Sequence, residues 1–306
     1  MKRLSVFGLD VSLHKRRKYE TPLSLEDVGV LNDDTVDYLR SLSQQELEDR
    51  ISSVCVRDLS DTSSVDEKLK EHGIVIVPDF IDSTAISSMA GDLGTLEHVI
   101  QEFRNGSEAF HECENYLIQK GACKVSGYDN LATFGKTVIQ IRDGQDAGMV
   151  DVFNIDHLYR AFGQVIRPAY ESAAVSNLMQ SKSHQLRAKN LNLYMNSGIT
   201  RTRGFHVDAY RKKLKSFIYL TDVLSLDDGP YTYVRGSHID SPYRRINQTV
   251  SRYLPNRTET PIIPRDAIIP ALARKGTLVI SDQGGSHRGF PQKQGHTRMV
   301  SVMNYS

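Results

Sequence analysis

Phe205-His-Val-Asp208 sets an imidazole and a carboxylate two residues apart. On a strand, alternate side chains leave from the same face. A strand here would aim an imidazole nitrogen and a carboxylate oxygen at one point. A third ligand must then come from a neighbouring strand, and the candidate is His287 in Ser281-Asp-Gln-Gly-Gly-Ser-His-Arg-Gly289. Gly284, Gly285 and Gly289 would let the backbone bend closely around an ion. Two histidines and one carboxylate leave open coordination positions and suit non-haem Fe(II). The His-x-Asp pair alone reads more readily as a structural hydrogen bond, because the chain has 10 histidines. His157 and His296 have no paired spacing and read as structural. Cys123 has no neighbouring base in sequence and is assigned no role.

The elements that must position these groups change character along the chain. A short helix is expected near 43–53, and a capping box at Ser64-Val-Asp-Glu67 opens another that ends at Gly73. Ile74-Val-Ile-Val77 is a continuous β-branched run and reads as a buried strand. Asp82 or Ser83 caps a helix to about Phe103, and Val138–Ile141 reads as a strand. Residues 156–180 read as helical, with Pro168 expected to break the helix. From Lys189 the texture turns to short strands, near 189–195, 203–208, 215–223, 231–234, 277–281 and 298–305. Turns fall at Asn196-Ser-Gly198, Asp227-Asp-Gly-Pro230, Gly236-Ser237 and Gly284-Gly285. Helices first and regularly spaced short strands later argue for an α+β chain, a sandwich or jelly roll with helices on one side.

Composition narrows the function classes. The 306 residues carry a formal net charge of +1 and are 39% hydrophobic, which gives no overall basic field for gripping nucleic acid. No apolar run approaches the length of a membrane span. Three widely spaced cysteines make neither a disulfide framework nor a zinc ribbon and suggest a reducing, cytoplasmic setting. Residues 1–20 carry +4 and residues 21–70 carry −7. The first stretch lacks the apolar core of a secretory signal. It reads as a solvated extension, or as a basic arm making weak contact with an anionic surface.

Further ordered motifs accompany the ligand set. They are Glu71-His-Gly-Ile-Val-Ile-Val-Pro-Asp-Phe-Ile-Asp82, Phe217-Ile-Tyr-Leu-Thr-Asp-Val223, Asp228-Gly-Pro-Tyr-Thr-Tyr-Val-Arg-Gly-Ser-His238 and Lys275-Gly-Thr-Leu-Val-Ile280, with Arg298 eleven residues after His287. In this order, over about residues 67–306, the chain resembles the phytanoyl-CoA dioxygenase (PhyH) family of Fe(II)- and 2-oxoglutarate-dependent oxygenases. The resemblance implies a double-stranded β-helix (jelly roll, cupin-like) core with N-terminal and flanking helices. Residues 1–65 would be a partly helical extension and 66–306 the dioxygenase domain. It implies His206, Asp208 and His287 as iron ligands and Arg298 as partner of the distal carboxylate of 2-oxoglutarate, through its planar fork. Asn192 and Tyr194, which alternate with Asn196 on one strand, fall where relatives contact the cosubstrate. Phe217 matches an aromatic beside it, or is core. His238 falls in a structural turn. The family's cofactor set is Fe(II), 2-oxoglutarate and O2, with succinate and CO2 as co-products. A carboxylate at 208, where related halogenases carry a small residue, implies oxygenation, by default hydroxylation. Desaturation, ring closure and epoxidation stay open. The alternative is a cupin-type metal-binding β-barrel protein without oxygenase activity.

Cations bracket the metal motif: Arg201, Arg203, Arg211, Lys212, Lys213 and Lys215, then Arg235, Arg244 and Arg245. Gln140 and Arg142, alternate residues of another strand, are expected to face the same mouth. The insertion 239–274 reads as a lid of extended loops. This pattern favours a small anionic metabolite, natural-product intermediate or glycan precursor as substrate, with Gln140, Arg142, Arg203 and Arg211 as candidate contacts. A solvated basic loop is the competing reading. A nucleic-acid partner is not expected.

Overall fold

The computed structural model describes residues 3–6, 9–12, 30–31, 34–121, 134–143 and 146–305. Cys123, Gly144 and the cationic run at 15–18 lie outside them. In chain order the strands are β1 (Arg3–Val6), β2 (Leu9–Ser12), β3 (Val30–Leu31), β4 (Ile74–Val77), β5 (Phe110–Glu112), β6 (Tyr116–Gly121), β7 (Thr137–Arg142), β8 (Val150–Phe153), β9 (Ala188–Ser197), β10 (Leu214–Tyr219), β11 (Tyr231–Val234), β12 (Ile262–Ile263), β13 (Ile268–Pro270), β14 (Leu278–Asp282), β15 (His287–Gly289) and β16 (Thr297–Tyr305). The chain is α+β. Nine strands form one sheet in the order β4-β14-β10-β16-β9-β8-β7-β6-β5, antiparallel except for β6 against β7. A second sheet has the order β13-β11-β15. β1 pairs with β2, and β3 with β12.

Alternation divides the large sheet into two faces. Leu191, Leu193 and Met195 of β9, Ile218 of β10 and Met299 and Met303 of β16 pack with helical residues such as Leu96, Phe162, Tyr170 and Leu178. The opposite face packs on the small sheet: Phe217, Tyr219, Val279, Val300 and Val302 meet Tyr233 and Ile269. Burying each such side chain is worth roughly 1.5–3 kcal/mol, so this two-sheet layer is a firm wall for anything built into it.

Local signals place most elements, with instructive departures. Helix Gln44–Ser52 opens on a reciprocal capping box between Ser43 and Glu46. Helix Thr62–His72 starts earlier than the Ser64 box implies, because the Asp61 side chain accepts from the Ser64 amide. It ends at Gly73, whose φ of 76° is the left-handed cap that glycine adopts without strain. The single helix expected from 82 to 103 is two, Ser83–Ser87 and Ala90–Asn105. Pro168 does not break its helix. It follows a π-helical run, Phe162–Ile166, whose wider turn accommodates a residue without an N–H. The break falls instead at Glu171–Ser172.

Residues 203–208 form no strand; His206 makes only isolated bridges, to Glu259 and His287. The insertion 239–274 is not simply extended loop. It contains helix Pro242–Ser251, and its later part supplies β12 and β13. Residues before 66 pack onto the rest of the chain. Leu39 is fully buried against Phe205, Val234 and Phe290, and Val54 sits in the layer between the sheets. Among the described residues no helix is long and apolar enough to cross a membrane.

Candidate metal centre

The segment carrying His206 and Asp208 is held by backbone bonds on two sides. The His206 amide donates to the His287 carbonyl at 3.0 Å and the His287 amide returns the bond at 2.9 Å. On the other side, Val207 N–H donates to Thr258 O (2.8 Å) and Thr260 N–H to Phe205 O (2.9 Å), both from the insertion. Asp208 N–H donates to Gln283 O at 2.9 Å. Convergence of these three side chains therefore comes from pairing to β15 and to the insertion rather than from strand alternation. The two imidazoles lie 4.7 Å apart between ring centres.

Both rings are fixed in the same way. His206 Nδ1 lies 2.9 Å from Gly204 O, and His287 Nδ1 lies 2.9 Å from Gly285 O, each the carbonyl two residues back. A carbonyl only accepts, so Nδ1 carries the proton and Nε2 presents its lone pair. His287 Nε2 lies 3.8 Å from Asp208 Oδ1. One ligand atom each from His206, Asp208 and His287 all fall within 4.8 Å of one another.

The charges suit a cation. Burial, with His287 and Arg203 nearby, holds His206 well below the usual imidazole range, and burial lowers His287 too. Burial opposes the charge on Asp208, but Lys215 outweighs it and holds the carboxyl well below the usual carboxylate range. Lys215 Nζ donates to Asp208 Oδ2 at 2.7 Å. Its own charge is kept despite burial by Asp208. Two neutral imidazoles and one carboxylate are the donor set that a divalent ion needs without first displacing protons.

These groups line a cavity of about 280 Å³ between the two sheets. Tyr194 and Asn196 of β9, Lys215, Phe217 and Tyr219 of β10, and Arg298 and Val300 of β16 enter it from one face of the large sheet. Tyr231 enters from β11, its ring 4.9 Å from that of Phe217. Arg298 is 6% exposed. It donates to Gly229 O through Nη1, and Asn196 Oδ1, with the amide turned to face it, accepts from Nη2 at 3.1 Å. Its Nε is buried without a partner. No carboxylate among the described residues pairs with it, so the guanidinium fits an incoming carboxylate.

The other sequence candidates divide. Arg142 and Arg203 line the cavity. Gln140 shares the face of Arg142 but is fully buried and outside the cavity lining. Asn192 lies on the face of Tyr194 yet is also outside the lining; its Oδ1 accepts from Asn154 N–H (3.2 Å) and Asn190 Nδ2 (3.0 Å). Arg211 is exposed and away from the cavity. His238 bonds Lys70 O in a turn, and His296 bonds Asp228. Gly285 serves a purpose other than bending around an ion: a Cβ there would sit 1.9 Å from Tyr233 Oη.

Of the cations lining the cavity, Lys215 stood in the sequence only as one of a basic run, and Arg288 was not singled out. Lys215 alternates with Phe217 and Tyr219 on β10, and that spacing was the available signal. Arg288 follows His287 and bonds Thr202 (2.9 Å) and Thr35 (3.4 Å). Nothing in its spacing points inward.

No protein-family profile and no curated relative matches the chain. Solved structures do. AviO1 from Streptomyces viridochromogenes Tue57 is 15% identical with a TM-score of 0.50, over 82% of this chain and 96% of that one. The non-heme α-ketoglutarate-dependent epimerase SnoN from nogalamycin biosynthesis is 14% identical with a TM-score of 0.48, over 81% and 84%. HygX from Streptomyces hygroscopicus, solved with nickel and 2-oxoglutarate bound, is 12% identical with a TM-score of 0.47, over 78% and 84%. The likeness to AviO1 is one of fold.

Proposed function

We propose that the chain is a non-haem Fe(II)- and 2-oxoglutarate-dependent dioxygenase of the phytanoyl-CoA dioxygenase type. It hydroxylates a small anionic metabolite, natural-product intermediate or glycan precursor, with succinate and CO2 as co-products. The observation that carries this reading is the meeting of His206, Asp208 and His287 in one cavity with a buried arginine, Arg298, that no carboxylate of the described chain neutralises. In this reading the two facing sheets are a double-stranded β-helix, and residues 66–306 are the catalytic domain with the preceding helices packed onto it.

Iron with 2-oxoglutarate, when bound, supplies the oxidation of a C–H bond by O2. The chain's own tasks follow from its geometry. His206 and His287 present Nε2 because Gly204 and Gly285 hold Nδ1–H. Lys215 orients Asp208 by occupying Oδ2, which would leave Oδ1 to hold a metal ion. Arg298 receives the distal carboxylate, and Phe217 and Tyr231 wall the cosubstrate against water. Tyr194 and Asn196 border it from β9.

The test is anaerobic titration of the full chain with Fe(II) and 2-oxoglutarate. A visible charge-transfer absorption that needs both additions, and is lost in His287→Ala, is expected. Iron binding with no response to 2-oxoglutarate would favour the non-oxygenase barrel.

A further inference from the structure

We propose that Arg203 is the specificity-determining residue for the molecule that is oxidised, receiving an oxyanion, carboxylate or phosphate, that the substrate carries. This rests on the reading of the cavity above, in which Arg298 is committed to 2-oxoglutarate.

The cavity holds more cations than carboxylates. Its lining holds five cations, Arg142, Arg203, Lys215, Arg288 and Arg298, against Asp146 and Asp208. Arg142 Nε donates to Asp151 Oδ2 at 2.5 Å, with Asp146 Oδ2 3.5 Å from its Nη1. Lys215 is on Asp208. Arg288 is fastened to Thr202, to Thr35 and to Gly289 O. Arg203 is held without an ion pair, although the carboxylates of Glu259, Asp208 and Asp146 lie near enough to favour its charge. Its backbone N–H donates to Asp146 Oδ1 at 2.6 Å and its Nη2 to Thr258 Oγ1 at 2.8 Å. Thr258 Oγ1 in turn donates to Asn256 Oδ1 at 2.9 Å. No carboxylate among the described residues forms an ion pair with Arg203, and its Nε is buried with no partner.

A shielded guanidinium donor without an acceptor is a standing cost that an oxyanion in the cavity removes. The planar fork suits carboxylate and phosphate alike. Arg203 stands three residues before His206 on the same segment, so an anion seated on it brings the rest of the substrate to the metal side of the cavity. Thr258 belongs to the insertion, which therefore positions the arginine that reads the substrate.

The experiment uses the full chain loaded with Ni(II) and 2-oxoglutarate, so that Arg298 is occupied. Calorimetry then measures inorganic phosphate, glycerol 3-phosphate and gluconate, with glycerol and glucose as neutral counterparts. At least one oxyanion probe is expected to bind, and neither neutral one at the same concentration. Arg203→Gln should weaken that binding by about 10- to 100-fold, the loss of one charge-assisted hydrogen bond, while 2-oxoglutarate affinity changes less than about twofold. Arg203→Lys, which keeps the charge and loses the fork, should fall between. Binding of the phosphates alone points to a phosphate ester, and of gluconate alone to a carboxylate. Wild-type protein that binds none of the oxyanions, or neutral probes that bind as well, overturns the proposal. So does Arg203→Gln that binds like wild type. If Arg203→Gln fails to fold, Arg203→Lys decides by the same criterion. Failure of the Ni(II)-loaded wild type to bind 2-oxoglutarate marks a different fault, in the cofactor reading, and removes this inference with it.

Discussion

Replacing Arg298 by Gln removes the only cation that the account assigns to the cosubstrate's distal carboxylate. The guanidinium is 6% exposed, so solvent screening is slight. Two of its five N–H donors already serve Gly229 O and Asn196, and the buried Nε, which has no partner, is among those left for a ligand. One charge-assisted bond contributes about 1.5–3 kcal/mol, and about 1.4 kcal/mol is a factor of ten. Arg298→Gln should therefore bind 2-oxoglutarate about 10- to 150-fold more weakly. Ni(II) affinity should change less than about threefold, since Arg298 is not a ligand. Loss of the Gly229 bond should cost stability of about 1 kcal/mol, a small fall in melting temperature. Calorimetric titration of the Ni(II)-loaded protein reads the first effect, metal titration the second and thermal unfolding the third. Wild-type affinity for 2-oxoglutarate in the variant would rule out Arg298 as the partner of the distal carboxylate. Loss of metal together with 2-oxoglutarate would make Arg298 a structural residue instead.

Two other perturbations follow from the same geometry. Asp228 accepts from the Leu224 and Ser225 amides and lies 2.7 Å from His296 Nδ1. Burial opposes its charge, but the His296 and Ser225 contacts outweigh it and lower its pKa. A depressed folded pKa gives stability that is present above the unfolded value of about 3.9 and lost as pH falls through the folded one. Asp228→Asn should thus cost roughly 1–3 kcal/mol at neutral pH and flatten the acid limb of a melting-temperature profile; an unchanged acid limb would show that Asp228 is not its source. Gly285→Ala puts a Cβ against Tyr233 Oη, two residues before His287. It should destabilise by about 1–3 kcal/mol or more and lower Ni(II) occupancy, and a variant with wild-type melting and occupancy would mean the loop shifts freely.

Much of this arrangement was legible in the sequence because it is written in local patterns. The β-branched run at 74–77 is a fully buried strand. The alternation at 191–196 separates Leu191, Leu193 and Met195 from Tyr194 and Asn196 as a period of two requires. Periodicity gives a face but not a depth, which is why Gln140 and Asn192 share the right face and still miss the cavity. It also assumed a strand at 203–208, whereas the ligands meet through pairing to β15 and to the insertion. Those partners lie about 50 to 80 residues away in sequence, and no local pattern encodes them. Lys215 was visible only as one cation in a basic run; its bond to Asp208 depends on how β10 lies beside the metal segment. Helix termini erred for a similar reason, since Asp61 and Ser64 compete for one cap and the bond to the Ser64 amide decides it.

The most direct measurement of the central claim is succinate formation from 2-oxoglutarate by the full chain, loaded anaerobically with Fe(II) and then exposed to O2. The expected result is succinate that requires Fe(II) and O2, rises with an accepted anionic substrate, and disappears in His206→Ala and His287→Ala. Iron demonstrably bound at His206, Asp208 and His287 with no succinate formed, with or without the anionic panel, would contradict it.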